Sequence, residues 1–166
     1  MTDREQMLNA ECLRRTLHYC AETGVFTWLV RPARNVQVGY VAGNINSKGY
    51  RKINIKGQAY AAHRLAWLYM NGEWPINFID HIDGHKDNNK ISNLRCVTNS
   101  VNLQNQRRPM CRNKSGVLGV SKIKNKWVAR LNFDGRTRHL GTFDTKESAY
   151  AEYLKAKRVH HAGCML

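Results

Sequence analysis

The sequence predicts an α+β fold built from several small sheets and helices. Strand-like runs separated by glycines fill residues 24–60, and the Trp127–Phe133 run alternates apolar with polar side chains. Apolar residues over 60–71 instead follow a helical spacing. We therefore expect a β-rich N-terminal module, a mixed central core, and a C-terminal three-stranded sheet packed on one helix.

The N-terminal module is predicted from three short runs, Val25–Val30, Tyr50–Ile55 and Gln58–Ala61. Lys56-Gly57 lies between the last two and is typical of a tight hairpin turn. The helix over 60–71 then ends where Gly72 and Pro75 interrupt it.

The central core is predicted from a second change of pattern. Phe78–Ile82 is strand-like and ends in an Asp83-Gly84 turn, and Leu94–Val97 is a second strand. Thr98 is a suitable N-cap for a short helix that carries Asn102 and Gln106.

The C-terminal part is predicted as a hairpin followed by a helix. Trp127–Phe133 presents Trp127, Ala129, Leu131 and Phe133 on one face and Val128, Arg130 and Asn132 on the other. Asp134-Gly135 is a hairpin turn, Arg136–Phe143 pairs back, and Asp144 or Thr145 caps a helix over roughly 145–160.

The charge of the chain points to a polyanionic partner. The 166 residues include 27 Lys and Arg against 12 Asp and Glu, a net charge of +15. We expect double-stranded DNA rather than a membrane, because no apolar run is long enough to span one and the N-terminus does not have the layout of a signal peptide. We accordingly expect a cytoplasmic protein with no small-molecule cofactor, acting as a monomer or a homodimer.

The cysteines argue against a zinc site. Cys12, Cys20, Cys96, Cys111 and Cys164 form no Cys-x-x-Cys pair, which a structural zinc site normally needs. We expect five free thiols in a reducing compartment.

Four polar residues of the central core have the chemistry for phosphodiester hydrolysis. His81 titrates near neutrality and suits a general base, with Nε2 left to take the proton of water if Asn93 holds Nδ1–H. Asp80 and Asn102 offer the hard oxygens that Mg²⁺ prefers, with Mn²⁺ as the alternative. Neighbouring strand residues face opposite sides, so Asp80 and His81 can share a site only where the strand ends.

The same segment resembles the ββα-metal motif of the His-Asn-His (HNH) endonucleases, above all those encoded by phages and introns. The resemblance rests on Asp80-His81, Asn93-Leu-Arg95 and the Asn102 helix, supported by His63-Arg64-Leu65-Ala66-Trp67 and Gly72-Glu73-Trp74-Pro75. It implies a DNA endonuclease with His81 as general base, Asn93 as its orienting residue, and Asp80 with Asn102 as ligands of one divalent ion. A non-catalytic DNA-binding regulator that keeps this fold is the alternative.

Residues 116–162 resemble the plant ethylene-response-factor type of DNA-binding domain. The match is carried by Gly116-Val-Leu-Gly-Val-Ser121, Trp127-Val-Ala-Arg-Leu131 and His139-Leu-Gly-Thr-Phe-Asp144. It implies a sheet that enters the DNA major groove with a helix behind it.

These patterns divide the chain into a DNA-tracking module (1–60), a nuclease core (61–107), a basic linker (108–115) and the C-terminal DNA-binding domain (116–162). In the first module, the basic side chains available to DNA are Arg31, Arg34, Lys48, Arg51 and Lys52. Around the linker and in the last domain, the predicted DNA contacts are Arg107, Arg108, Arg112, Lys114, Ser121, Lys122, Lys124, Arg130, Asn132, Arg138 and His139.

Overall fold

The computed structural model describes residues 7–107, 109, 111–161 and 163–164, and the chain divides into two compact units. Unit 1 comprises residues 1–98 and unit 2 residues 99–166. Within the described residues, every helix is too short or too polar to cross a membrane. The α+β class predicted from the sequence is confirmed.

The described part of unit 1 includes two elements that the sequence patterns did not indicate. Helix α1 (Ala10–Thr16) starts at Asn9, whose side-chain oxygen accepts a hydrogen bond from the Cys12 amide at 2.8 Å. Strand β1 (Leu17–Cys20) follows and pairs antiparallel with β2 (Val25–Trp28).

The predicted N-terminal strands and the following helix are confirmed. Strands β3 (Asn44–Ile45), β4 (Arg51–Ile55) and β5 (Gln58–Ala61) form an antiparallel sheet in that order. Helix α2 (Ala62–Asn71) ends at Gly72, which takes a left-handed conformation with φ of 82°. Glycine adopts this conformation without the steric cost that other residues meet.

Apart from β3, whose two residues are both exposed, these elements share one hydrophobic core. Leu13 of α1, Phe26 of β2, Ile53 of β4, Leu65 of α2 and Leu94 belong to a single buried cluster. The boundary predicted at residue 60 therefore does not separate two cores, since the N-terminal strands and the first part of the central core are packed together.

Strands β6 (Phe78–His81) and β7 (Leu94–Val97) form the predicted antiparallel pair. The twelve residues between them, 82–93, are called the site loop below, and its last turn is a 3₁₀ turn at Ile91–Asn93. Helix α3 (Asn99–Gln104) carries Asn102 and opens unit 2, whereas Gln106 lies beyond the end of this helix.

Unit 2 contains a three-stranded antiparallel sheet in the order β10-β9-β8, formed by β8 (Val120–Ile123), β9 (Lys126–Phe133) and β10 (Arg136–Phe143). Helix α4 (Lys146–His160) packs on it, with Thr145 as the N-cap. Leu131, Ala149 and Tyr153 lie in the core of this unit. The predicted alternation along β9 holds for Arg130 and Asn132, which are exposed.

Candidate active site and nucleic-acid interface

Strand β6 ends at the residue where the predicted site requires it to end. His81 is its last residue, and the chain turns at once, with the Gly84 amide donating to the His81 carbonyl at 2.9 Å. Asp80 and His81 are 7% and 5% exposed, so both polar side chains are buried. A buried polar group needs defined partners, and those partners determine what each residue can do.

Asp80 is fixed by Arg95, a residue that the sequence interpretation did not assign. The two residues are paired across β6 and β7, and Nε and one terminal nitrogen of Arg95 donate to Asp80 Oδ2 at 2.9 and 2.8 Å. These charge-assisted hydrogen bonds fix the orientation of the buried carboxyl group. The cross-strand register was the signal, because Asp80 and Arg95 fall opposite each other once the strand pair is predicted.

His81 is held by Asn89, a residue of the site loop. Nε2 of His81 lies 3.2 Å from Oδ1 of Asn89, while the Asn89 amide nitrogen donates to the Asp87 carbonyl at 3.1 Å. Because the amide is oriented by Asp87, its oxygen faces the ring and accepts from Nε2–H. In the neutral ring the lone pair then lies on Nδ1. Our prediction left Nε2 free to take the proton of water, whereas the structure places this nitrogen against Asn89 Oδ1.

Asn93 organises the site loop. Its Oδ1 accepts from the Asp83 amide at 3.0 Å, and its Nδ2 donates to Asp83 Oδ1 at 3.0 Å and to the Asn88 carbonyl at 2.8 Å. The predicted contact between Asn93 and the His81 ring is therefore corrected, because both N–H groups of this amide are directed at loop acceptors.

The pKa of His81 is lowered, chiefly because burial disfavours the imidazolium, and the Asn89 contact and the carboxylates of Asp83, Asp80 and Asp87 oppose the shift only in part. The ring of His63 packs edge-on against His81 with centroids 5.1 Å apart. Burial, the neighbouring His81 and Arg64 lower the pKa of His63 to about 3. Both imidazoles are thus neutral near pH 7, the state in which His81 can accept a proton.

Asp83 is held by hydrogen bonds within the site loop. Burial raises its pKa, but hydrogen bonds from Asn88, the His85 amide and Asn93 outweigh this and lower it to about 2. Since these bonds tie together both ends of the loop, Asp83 has a structural role, as its turn position predicted.

Asp80 fits the requirement of a hard divalent cation. Both Arg95 hydrogen bonds end on the same carboxylate oxygen, and a cation of this class binds one or two carboxylate oxygens with waters around it. Within the described residues no group of three or more His, Cys, Asp or Glu side chains is placed to hold a metal. Asn102 lies on α3 in unit 2, and its role as the second ligand stays a prediction.

Of the basic residues predicted to track DNA in the N-terminal module, Arg51 has a different role. Its Nε and a terminal nitrogen donate to the two oxygens of Asp87, each at 2.9 Å, and its other terminal nitrogen donates to the Gly43 carbonyl at 3.0 Å. The guanidinium thus binds the site loop and the Gly43 carbonyl. Our prediction of Arg51 as a DNA contact is corrected, because these hydrogen bonds give it a structural role.

In unit 2 the strand register sorts the predicted DNA contacts onto two faces. His139 is opposite Arg130, and Ser121 is opposite Val128, so Ser121, Arg130, Asn132 and His139 belong to one face, named the polar sheet face. Arg138 is opposite Leu131 and lies on the helix-packed face, where its guanidinium is 5.6 Å from the Phe133 ring centroid.

Lysines and the basic linker flank this sheet. Lys122 lies on the Trp127 side, with Nζ 5.7 Å from the indole centroid, and Lys124 is exposed in the turn before β9. A groove beside Trp127 is lined by Arg112, Asn113, Lys114 and Lys122, among others. Of the other linker residues predicted to contact DNA, Arg107 is half-buried and Arg108 lies outside the described residues.

Comparison with known proteins identifies the region that contains these polar residues. The sequence profile of the HNH endonuclease family matches residues 60–104, which include Asp80, His81, Asn93 and Asn102. The chain is 31% identical over 132 residues to DNA endonuclease I-HmuI of Bacillus phage SP01, covering 72% of this chain and 76% of that protein. It is also 30% identical over 101 residues to Protein 3.8 of Escherichia phage T7, covering 59% of this chain and 83% of that protein. No solved structure gave a significant match.

Proposed function

Because the chain belongs to the HNH endonuclease family, we propose that it hydrolyses phosphodiester bonds of double-stranded DNA with one divalent metal ion and His81 as general base. The observation that carries this proposal is the state of His81. Its ring is buried at the end of β6, is held at Nε2, and has a lowered pKa. A fixed, neutral imidazole next to the Asp80 side chain is suited to removing a proton from water.

In the proposed reaction, Nδ1 of His81 takes a proton from a water molecule as the water oxygen forms a bond to phosphorus. The bond between phosphorus and the 3′ oxygen breaks, and that oxygen gains a proton from solvent. The products are a 5′-phosphate and a 3′-hydroxyl. The metal ion, when bound, stabilises the negative charge that develops on the phosphate and the leaving oxygen.

Asp80 and Asn102 are the proposed metal ligands, with Mg²⁺ as the ion and Mn²⁺ as the alternative. Arg95 supports this assignment because it holds the Asp80 carboxylate in one orientation through two hydrogen bonds. The family match includes Asn102 together with Asp80. Carboxylate, amide, water and phosphate oxygens would complete a hard-oxygen shell.

We further propose that unit 2 targets the nuclease to its site. Residues 99–166 carry 14 basic and 4 acidic side chains, an excess that attracts the phosphate backbone. The polar sheet face presents donors that can reach base edges in a major groove, as in the ethylene-response-factor type of domain that this region resembles. Arg107, Arg108, Arg112, Lys114, Lys122 and Lys124 are then the proposed phosphate contacts.

One active site per chain cleaves one strand. A monomer should therefore nick supercoiled plasmid, and a double-strand break requires a dimer or two separate events.

The central test is incubation of supercoiled plasmid with the purified protein in Mg²⁺, in EDTA, and with His81→Ala in Mg²⁺. We expect nicking in Mg²⁺ alone and a loss of at least about 100-fold in the substituted protein, the contribution of a general base. His18→Ala is the matched control, since His18 is exposed on β1. A regulator without catalytic activity would leave the plasmid intact in every lane, and nicking by His81→Ala at the wild-type rate would exclude His81 as the base.

A further inference from the structure

The site loop is held by segments of unit 1 that lie far from it in sequence. The Tyr19 hydroxyl of β1 donates a hydrogen bond to the Asn89 carbonyl at 2.7 Å. The Arg51 guanidinium of β4 donates to both carboxylate oxygens of Asp87, each at 2.9 Å. Gly24 packs so closely that a Cβ there would lie 2.4 Å from the Lys90 nitrogen. The loop at 87–90 is thus held by residues that lie outside it in sequence.

This support determines where the Asn89 side chain points. The residue is only 1% exposed, and its amide spans two groups: Oδ1 faces His81 Nε2 at 3.2 Å and Nδ2 faces the Asp87 carbonyl at 3.1 Å. Such a position requires one acceptor and one donor on the same short side chain. Aspartate would direct an oxygen at the Asp87 carbonyl, and leucine would satisfy neither neighbour.

We propose that Asn89 is the positioning residue of the general base. It holds the hydrogen of the His81 ring on Nε2, fixes the plane of the ring, and so presents the Nδ1 lone pair to the attacking water. The inference rests on the proposed role of His81, and it assigns to Asn89 the orienting function that the sequence had suggested for Asn93.

The first test observes the ring itself, by ¹⁵N NMR of the histidine-labelled full chain without metal, at a fixed pH of about 8 where the imidazole is neutral. We expect a bonded hydrogen on Nε2 of His81, an unprotonated Nδ1, and an Nε2–H proton signal shifted downfield by its acceptor. In Asn89→Leu, which keeps the branched shape of the side chain and removes the amide, that proton signal should move upfield or be lost to exchange with water.

Asn88→Ala is the matched control. Asn88 is the adjacent asparagine of the same loop, and its amide donates to Asp83 Oδ2 at 2.6 Å rather than to the ring. The His81 signal should be unchanged in this variant. A wild-type ring that carries its hydrogen on Nδ1 would overturn the proposal, and so would an Nε2–H signal that is the same in Asn89→Leu and wild type; the wild-type measurement decides even if Asn89→Leu does not fold.

The second test separates positioning from binding. We expect Asn89→Leu to lower kcat for plasmid nicking about 10- to 100-fold, the usual loss for a residue that orients a catalytic histidine. KM for DNA should stay within about twofold, because Asn89 is buried and does not reach substrate. Equal kcat in Asn89→Leu and wild type would contradict the proposal.

Failure of this inference can be told apart from failure of the proposed function. If His81→Ala is inactive while the wild-type ring carries its hydrogen on Nδ1, only the role of Asn89 is lost. If the ring is held as proposed while His81→Ala still nicks DNA, the positioning contact is real and His81 is not the base.

Discussion

The candidate site of unit 1 and the polar sheet face of unit 2 place their polar side chains in opposite environments. Unit 1 buries Asp80, His81 and Asn89 and gives each a hydrogen-bond partner, whereas unit 2 exposes Arg130 and Asn132 on an open sheet. Unit 1 has 13 basic and 8 acidic residues, and unit 2 has 14 and 4. The contrast separates two requirements: catalysis needs a few groups held in fixed orientation, and attraction of DNA needs many exposed cations.

The largest expected effect comes from removing the carboxyl group of the buried Asp80–Arg95 ion pair in unit 1. The exposed Lys126–Asp144 pair of unit 2 is the comparison. Asp80→Ala leaves the Arg95 guanidinium, whose side chain is 23% exposed, without its carboxylate. We expect unit 1 to lose about 3 kcal/mol of unfolding free energy, and cleavage to be abolished with the proposed metal ligand. Asp144→Ala breaks the exposed pair with Lys126 in unit 2 and should cost less than about 1 kcal/mol.

Urea titration in EDTA, followed by amide NMR signals from each unit, measures both costs. Similar losses in the two variants would show that burial does not distinguish these pairs, and would remove the basis of the comparison between the units.

A second pair of substitutions perturbs one glycine in each unit. Gly24 and Gly119 both have positive φ, and a Cβ would lie 2.4 Å from the Lys90 nitrogen in one case and 2.0 Å from the Tyr153 ring in the other. Each alanine variant should lose about 2–3 kcal/mol, from left-handed strain plus overpacking. Gly24→Ala should also slow nicking strongly, because it displaces the backbone at Asn89.

Gly119→Ala should retain its nicking rate at saturating DNA, since no site-loop residue is affected. Gly57→Ala is the control for strain alone, because its φ is 80° and no atom lies within 4 Å of the added Cβ. The measurements are urea stability and single-turnover nicking. Nicking that falls equally in Gly24→Ala and Gly119→Ala would mean that the units do not divide the work as proposed.

A third prediction concerns target choice. Arg130→Ala removes a donor from the polar sheet face and should alter which positions are cut, at a cost of about 1–3 kcal/mol in discrimination between sites. Arg138→Ala removes the same charge from the opposite face and should leave the positions unchanged. Sequencing the ends cut from a random-site plasmid library checks this, and an identical cleavage pattern in Arg130→Ala and wild type would count against targeting by this face.

How far the sequence predicted the fold depended on whether the pattern was local. The β9–β10 hairpin was predicted because alternation and the Asp134-Gly135 turn both lie within it, and the two turn residues have φ of 51° and 69°. Helix α1 was missed, although Asn9 before Leu13 and Leu17 offered an N-cap and an apolar spacing. The shared core of unit 1 was not predictable, since it depends on which distant segments pack together.

The candidate site shows the same limit more sharply. The sequence indicated His81 and Asp80, whose chemical types are specific, but Asn88, Asn89 and Asn93 are identical side chains within one loop. Which of them faces the imidazole is decided by Tyr19 and Arg51, which anchor the loop from other strands. Local spacing contains no information about those contacts.

The smallest expected effect is the pH dependence that His63 gives to the stability of unit 1. His63 has a pKa of about 3 in the folded protein, lowered first by burial, against an ordinary value of 6.5. Below pH 6.5 the unfolded chain therefore binds a proton at His63 that the folded chain does not bind. Unit 1 loses stability as the pH falls, and this residue alone lowers the free energy of unfolding by about 1 kcal/mol between pH 6.5 and 5.5. His63→Gln should remove that part of the slope. His81, whose pKa is also lowered, keeps part of the acid sensitivity in this variant. Urea titrations at the two pH values measure the slopes, and equal slopes for His63→Gln and wild type would show that His63 is protonated in the folded unit and that the buried, neutral environment inferred around His81 is wrong.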